Sequence, residues 1–244
     1  MKRRSLLALL GFAPLLGHAQ EHSFHLGYRY LFAPQWDRMV QTYNFSRPFL
    51  DAHQGLLQHG IGGGYARTFT GESRIRSGVT IGYDRFISQA DATGLESRIR
   101  LHQLRIAYTA RILPKDLESP WLLEAGVGLV GSHLSRLVNN APIEDEDLKP
   151  RSMGIGADLN VLVGRRFPWG DRRWVVPYIA AHMAPYVFQP TAEAVLNQTR
   201  GLVAGNGTFM LMASAGLRLR IGNEQQRPGT ADRSKTRTIN LRRV

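Results

Sequence analysis

Eight segments of this chain alternate apolar and polar residues with a period of two, and that repetition restricts its fold more than any other feature. A strand turns successive side chains to opposite faces, so each segment builds a wall with one apolar and one polar side. The segments are Ser23 to Phe32, Leu57 to Thr70, Ile75 to Ser88, Ser97 to Arg111, Trp121 to Ser132, Ser152 to Arg166, Trp174 to Tyr186 and Thr208 to Ile221. The sixth is the cleanest, with Met153, Ile155, Ala157, Leu159, Val161 and Val163 opposite Ser152, Gly154, Gly156, Asp158, Asn160 and Gly164. The fourth slips in parity near Leu101 and His102, which predicts a bulge there. The seventh contains Pro177 and Pro185, and each proline removes a ladder donor.

Alternation alone fits two barrels, one with its apolar face inward in water and one with that face outward in lipid. Three features favour the second. The polar faces are rich in glycine, which suits a narrow lumen. Aromatic residues gather toward segment ends at Tyr30, Phe32, Phe69, Trp121, Trp174 and Tyr186, where interfacial girdles would lie. The links also sort by parity: 71–74, 112–120 and 167–173 are compact, 33–56, 133–151 and 187–207 are long, and 89–96 is modest. Some residues break the pattern. Val130, Leu162, Met210 and Met212 fall on polar faces, while Arg67, Arg85 and Arg165 fall on apolar ones near strand ends, where they could snorkel.

Lys2, Arg3 and Arg4 precede an apolar run that closes with Gly17-His18-Ala19, the pattern of an export signal cut after Ala19. Beyond it no stretch approaches the roughly 20 apolar residues of a spanning helix, so a membrane reading requires a closed barrel. The chain has no cysteine, hence no disulfide framework and no thiolate metal site. Its net charge of +12 is unevenly spread. The leader and the tail from Asn223 hold more than half of it, and no nucleic-acid-binding motif accompanies the charge. Nucleic acid is therefore not an expected partner.

On these segments and links the chain resembles the small Gram-negative outer-membrane β-barrel proteins of the single-domain, eight-stranded kind, over about residues 21–222. The resemblance implies an all-β fold, an eight-stranded antiparallel up-and-down transmembrane barrel, located in the outer membrane. It divides the chain into a signal peptide at 1–19, a barrel at 20–222 and a basic, disordered periplasmic tail at 223–244. The implied partners are outer-membrane lipid, lipopolysaccharide and the barrel-assembly machinery; no cofactor is implied. One departure is that the last strand ends near Ile221 with a polar tail after it, where such proteins commonly finish on an aromatic residue.

For function, the charges expected to point inward are Arg76, Asp84, Arg105, Arg111, Glu124, Asp158, Arg166, Arg218 and Arg220. An eight-stranded lumen is narrow enough for side chains to fill, so these groups should pair into a structural plug, with Glu124 meeting Arg105 or Arg218. A lipid-modifying enzyme would instead need a serine beside a histidine, and Ser132, His133 and Ser135 are the candidates. His182 has Ala184 where the deacylase His-x-Ser pattern would place its nucleophile. The first long loop is a candidate partner site through Trp36, Arg38, Tyr43, Phe45 and Arg47, or a lid over the barrel mouth. The acidic run Glu144 to Asp147 lacks the spacing of a calcium loop. The expectation is a barrel of structural or surface-interaction role, not an enzyme and without a metal. The alternatives are a lipid A-modifying enzyme and a soluble periplasmic ligand-binding barrel.

Overall fold

The computed structural model describes residues 19–45, 48, 51–69, 75–112, 120–139, 141–142, 153–170, 173–188 and 209–222. Eight long strands carry the fold: β1 (Ala19–Phe32), β2 (His59–Phe69), β3 (Ile75–Ala92), β4 (Leu95–Ile112), β5 (Trp121–Val138), β6 (Met153–Arg165), β7 (Arg173–Phe188) and β8 (Phe209–Gly222). Helix α1 (Pro34–Phe45) follows β1. Each strand pairs antiparallel with the next, and β8 returns to pair with β1 from Glu21↔Gly222 to Phe32↔Leu211, which closes the barrel. Closure leaves no edge strand to recruit another chain. The expected tail, and the expected leader up to residue 18, lie outside the described residues, while Ala19 opens β1.

One end of the barrel carries α1 and the longer connections and is called the loop end; the other is the turn end. The link expected to be modest, between the third and fourth segments, is a two-residue turn with Gly94 at φ 76°, the left-handed position that glycine takes without strain. The strands on either side therefore run on. β3, β4 and β5 each reach 18 residues and project past their neighbours at the loop end. The segment 51–58 lies along β3 through Ala52↔Asp91 and the Gly55 N–H to Gln89 carbonyl bond of 3.2 Å.

The alternation falls the way lipid demands. On β4, Gln103, Arg105, Ala107, Thr109 and Arg111 are buried inside, while Leu104, Ile106, Tyr108 and Ile112 are exposed outside. Leu26, Ile61, Leu129 and Ile179 each expose 65% or more of their surface. A soluble barrel reverses this arrangement, so the soluble periplasmic alternative does not fit the fold. No helix among the described residues is long and apolar enough to cross a membrane; the strands do the crossing.

Two local expectations are corrected. β4 has no bulge, because its register with β3 and β5 is unbroken. Its parity slip reflects a change of medium inside the barrel: Ile99 and Leu101 point inward like Gln103, but into an apolar layer. Trp174 does not join an outward girdle; it turns inward, and Arg220 lies 5.6 Å from its ring centroid. Trp121, Phe167 and Trp169 are the exposed aromatics at the turn end.

β7 remains continuous despite its prolines. Its ladder with β6 stops at Gly164↔Tyr178, one residue short of Pro177. That ladder also breaks between Gly156↔Tyr186 and Leu159↔Met183, the stretch that contains Pro185. Both prolines keep their places in the ladder with β8, at Leu217↔Pro177 and Phe209↔Pro185, and the gaps fall on the β6 side. Of the three outward arginines, Arg165 is exposed and Arg85 half-buried, while Arg67 is buried.

Candidate functional site: a layered lumen

Inward side chains form layers. Toward the turn end, Glu21 of β1 accepts from Arg111 Nη1 of β4 at 2.7 Å and from Arg220 Nε of β8 at 2.7 Å. Glu124 of β5 accepts from Arg218 Nη1 of β8 at 2.9 Å and from Arg111 Nη2 at 3.3 Å. The chain Arg220–Glu21–Arg111–Glu124–Arg218 therefore ties the β1/β8 seam to the opposite wall. Every member is at most 5% exposed. Charges so shielded from bulk solvent are tolerated because each carboxylate is paired and hydrogen-bonded.

A second group lies at mid-height. Asp84 of β3 accepts from Arg29 Nε at 2.7 Å and pairs with Arg105, while Arg29 Nη1 donates to the Tyr178 hydroxyl at 3.1 Å. Gly62 makes room for this pair: a Cβ there would meet the Asp84 carboxylate and come within 2.8 Å of Arg29 Nε. Asp158 takes the Asn160 amide at 3.0 Å and lies 3.3 Å from His182 Nδ1. Between the two groups a cavity of about 40 Å³ is bordered by His25, Thr80, Arg105, Glu124, Asp158 and Arg218, room for a few waters.

The loop end is apolar. Leu31, Leu57, Phe86, Ile99, Leu101, Val130, Leu134, Met210 and Met212 form one buried cluster, and Trp36 of α1 enters it from above. Pro34 opens the helix, where its missing N–H costs no bond, and the Ala33 carbonyl accepts from the N–H groups of Trp36 and Asp37. Trp36 and Val40, one turn apart, are both 4% exposed. Asp37 accepts from the Gln58 amide at 3.3 Å. Burial pushes its carboxyl pKa up, and the Gln58 bond opposes the shift. Val130, Met210 and Met212, which broke the polar pattern, are thus components of this plug. Leu162, the fourth, packs with Leu122, Val176 and Tyr178 near the turn end.

Of the inward charges read from the sequence, Asp84, Arg105, Arg111, Glu124, Asp158, Arg218 and Arg220 lie in these layers. Glu124 meets Arg218, whereas Arg105 goes to Asp84. Arg76 is buried inside opposite Arg111, with no ion pair among the described residues. Arg166 lies past the end of β6, where its N–H donates to the Pro120 carbonyl at 2.6 Å. Sequence reading missed Glu21, which precedes the expected first strand, and Arg29, although Arg29 shares that strand's polar face.

The other candidates separate. Ser132 is buried in the lumen, 3.5 Å from the Gln103 amide, while His133 is exposed on the outer wall. The barrel wall divides this serine from this histidine, so they cannot act as nucleophile and base. Ser135 shares the outer face with His133, and His182 is committed to Asp158 in the lumen. In the first loop Trp36 is buried, Arg38 and Phe45 are exposed, and the Tyr43 side chain and Arg47 lie outside the described residues, as does the run Glu144 to Asp147. No group of three potential metal ligands occurs among the described residues.

A closed barrel that turns leucine, isoleucine and tyrosine outward and its ion pairs inward requires hydrocarbon around it. The fold is that of an integral outer-membrane β-barrel of the small, eight-stranded kind found in Gram-negative bacteria. No family model matches the chain, and no curated protein does. Among solved structures it is similar to Neisserial surface protein A, at 9% identity and TM-score 0.45 over 83% of this chain and 96% of that one. The outer membrane protein OprG from Pseudomonas aeruginosa follows at 7% identity and TM-score 0.40, covering 84% and 98%. Ail, the attachment invasion locus protein of Yersinia pestis, solved with the heparin analogue sucrose octasulfate, gives 10% identity and TM-score 0.38, covering 82% and 99%. At such values these likenesses add nothing to what the chain's own geometry shows.

Proposed function

We propose that this protein is a structural or surface-interaction barrel: a closed pillar that anchors α1 and the long connections at the cell surface, neither conducting solutes nor modifying lipid. The observation that supports this most is the lumen, where arginine–carboxylate chains cross the middle and an apolar plug sealed by Trp36 fills the loop end. A narrow barrel filled in this way holds its loops in fixed positions and leaves no continuous water path. Exposed Arg38 and Phe45 on α1 are the described residues best placed to meet a partner.

The test has two parts. Refolded into detergent micelles, the chain should shift on boiling in gel migration, and no folded, monodisperse protein should form in plain buffer. In planar bilayers it should give no stable conductance. A steady open channel would overturn the closed-pillar reading, and a soluble folded form would overturn the membrane reading itself. If the surface role is right, trimming the connections at 143–152 and 189–208 together with Arg38→Ala and Phe45→Ala leaves the boiling shift intact and removes partner capture by the refolded barrel.

A further inference from the structure

Outward residues of β3, β4 and β5 change character abruptly at one height. Below it the wall is apolar through Ile81, Tyr83, Leu104, Ile106, Val127 and Leu129. Directly above, Arg85, His102 and His133 face out in one cross-strand row, and Arg100 stands in the next, between Ile87 and Ser135. On β4 the apolar stretch from Leu104 to Ile112 has the length of about 9–11 residues that a tilted strand needs to cross hydrocarbon. The cationic step therefore lies at the boundary between acyl chains and headgroups.

Among the described residues this cluster has no neutralising carboxylate. The Nε atoms of Arg85 and Arg100 are shielded from solvent and have no hydrogen-bond partner among the described residues. Glu96 on the same face is taken by Arg98, and no carboxylate stands in the two rows that hold Arg85, His102, His133 and Arg100. Tyr83 hydroxyl lies 2.5 Å from His102 Nδ1, and the rings of His102 and His133 stack at 6.4 Å. The bond to Tyr83 occupies Nδ1, so Nε2 is the ring nitrogen that remains for a ligand on the wall.

Two guanidinium groups, which suit bidentate phosphate binding, and two imidazoles are spread over three strands spaced about 4.8 Å apart. That width exceeds a single phosphate. Beside hydrocarbon, where water competes poorly, charge-assisted bonds strengthen.

We infer that the outer wall formed by Arg85, Arg100, His102 and His133 binds the phosphorylated headgroup of an outer-leaflet glycolipid, whose acyl chains lie along the apolar band below. The inference rests on the membrane reading above, with the loop end facing outward. A lipid held there braces the long β3–β5 wall against the membrane surface.

Native mass spectrometry of the refolded full chain tests it, with a bisphosphorylated lipid A, the same lipid A after dephosphorylation, and phosphatidylglycerol offered in separate micelle samples. The bisphosphorylated form should be retained, and its dephosphorylated form and phosphatidylglycerol each retained about tenfold less. Arg85→Gln with Arg100→Gln should lower retention of the bisphosphorylated form about tenfold, while Arg165→Gln, outward at the opposite end, should leave it unchanged. Equal retention after dephosphorylation, or an unaffected double variant, overturns the site; equal retention of phosphatidylglycerol overturns the assignment to a glycolipid. Each sample is also checked for its boiling shift, so a failure of the barrel reading is distinguishable from a failure of the site.

Discussion

Glu124 shows how much depends on one buried carboxylate. It receives Arg111 and Arg218 from opposite walls, so Glu124→Gln leaves two guanidinium groups facing a neutral amide far from water. Breaking a buried pair on one side typically costs about 3–5 kcal/mol. The variant should unfold at clearly lower urea than the parent, and an unchanged midpoint would show the lumen tolerating its arginines without that charge. Asp37 poses a pH question. Its carboxyl is held above the usual range by burial, so docked α1 binds the proton more tightly than free α1 does. That contribution to docking is fully present below the ordinary aspartate pKa and is lost as pH rises through the raised one. Hydrogen-exchange protection of α1 should therefore fall across that window, and Asp37→Asn should flatten the profile.

At the scale of elements, α1 and the barrel should be separable. Trp36→Ala empties the centre of the plug, and truncating a buried aromatic costs about 3–5 kcal/mol. Most of that loss should fall on the helix, since the ladders below do not pass through it. Protease should then cut within 34–58 while the boiling shift persists; loss of the shift would mean that the plug is needed for the barrel to form. The strands themselves were legible in the sequence because nearly every position faces one of two media. Where a medium changes, the reading failed. Leu101 and His102 suggested a bulge because the inside was assumed polar throughout. Trp36 and Val40 carry helical spacing, but Trp36 is buried in a cluster with Leu134 and Met210, distant in the chain. Pairing was hidden for the same reason: Glu21 meets Arg111 and Arg220, 90 and 199 positions away, and nothing local marks it as their partner.

For the whole molecule, closure and filling have a joint consequence. Charge alone could suggest a pore, yet in the closed-pillar reading the inward arginines and carboxylates serve one another instead. The seam between β1 and β8 is where the first and last strands meet, and Glu21 spans it to reach Arg220. Until β8 is in place, Glu21 lacks one of its arginines and Glu124 lacks Arg218. An incomplete chain would thus carry half-matched charges into the membrane, where they are least tolerated. A chain short of its final strand leaves Glu21 and Glu124 to share Arg111, so the ion-pair chain is complete only once the last strand has arrived.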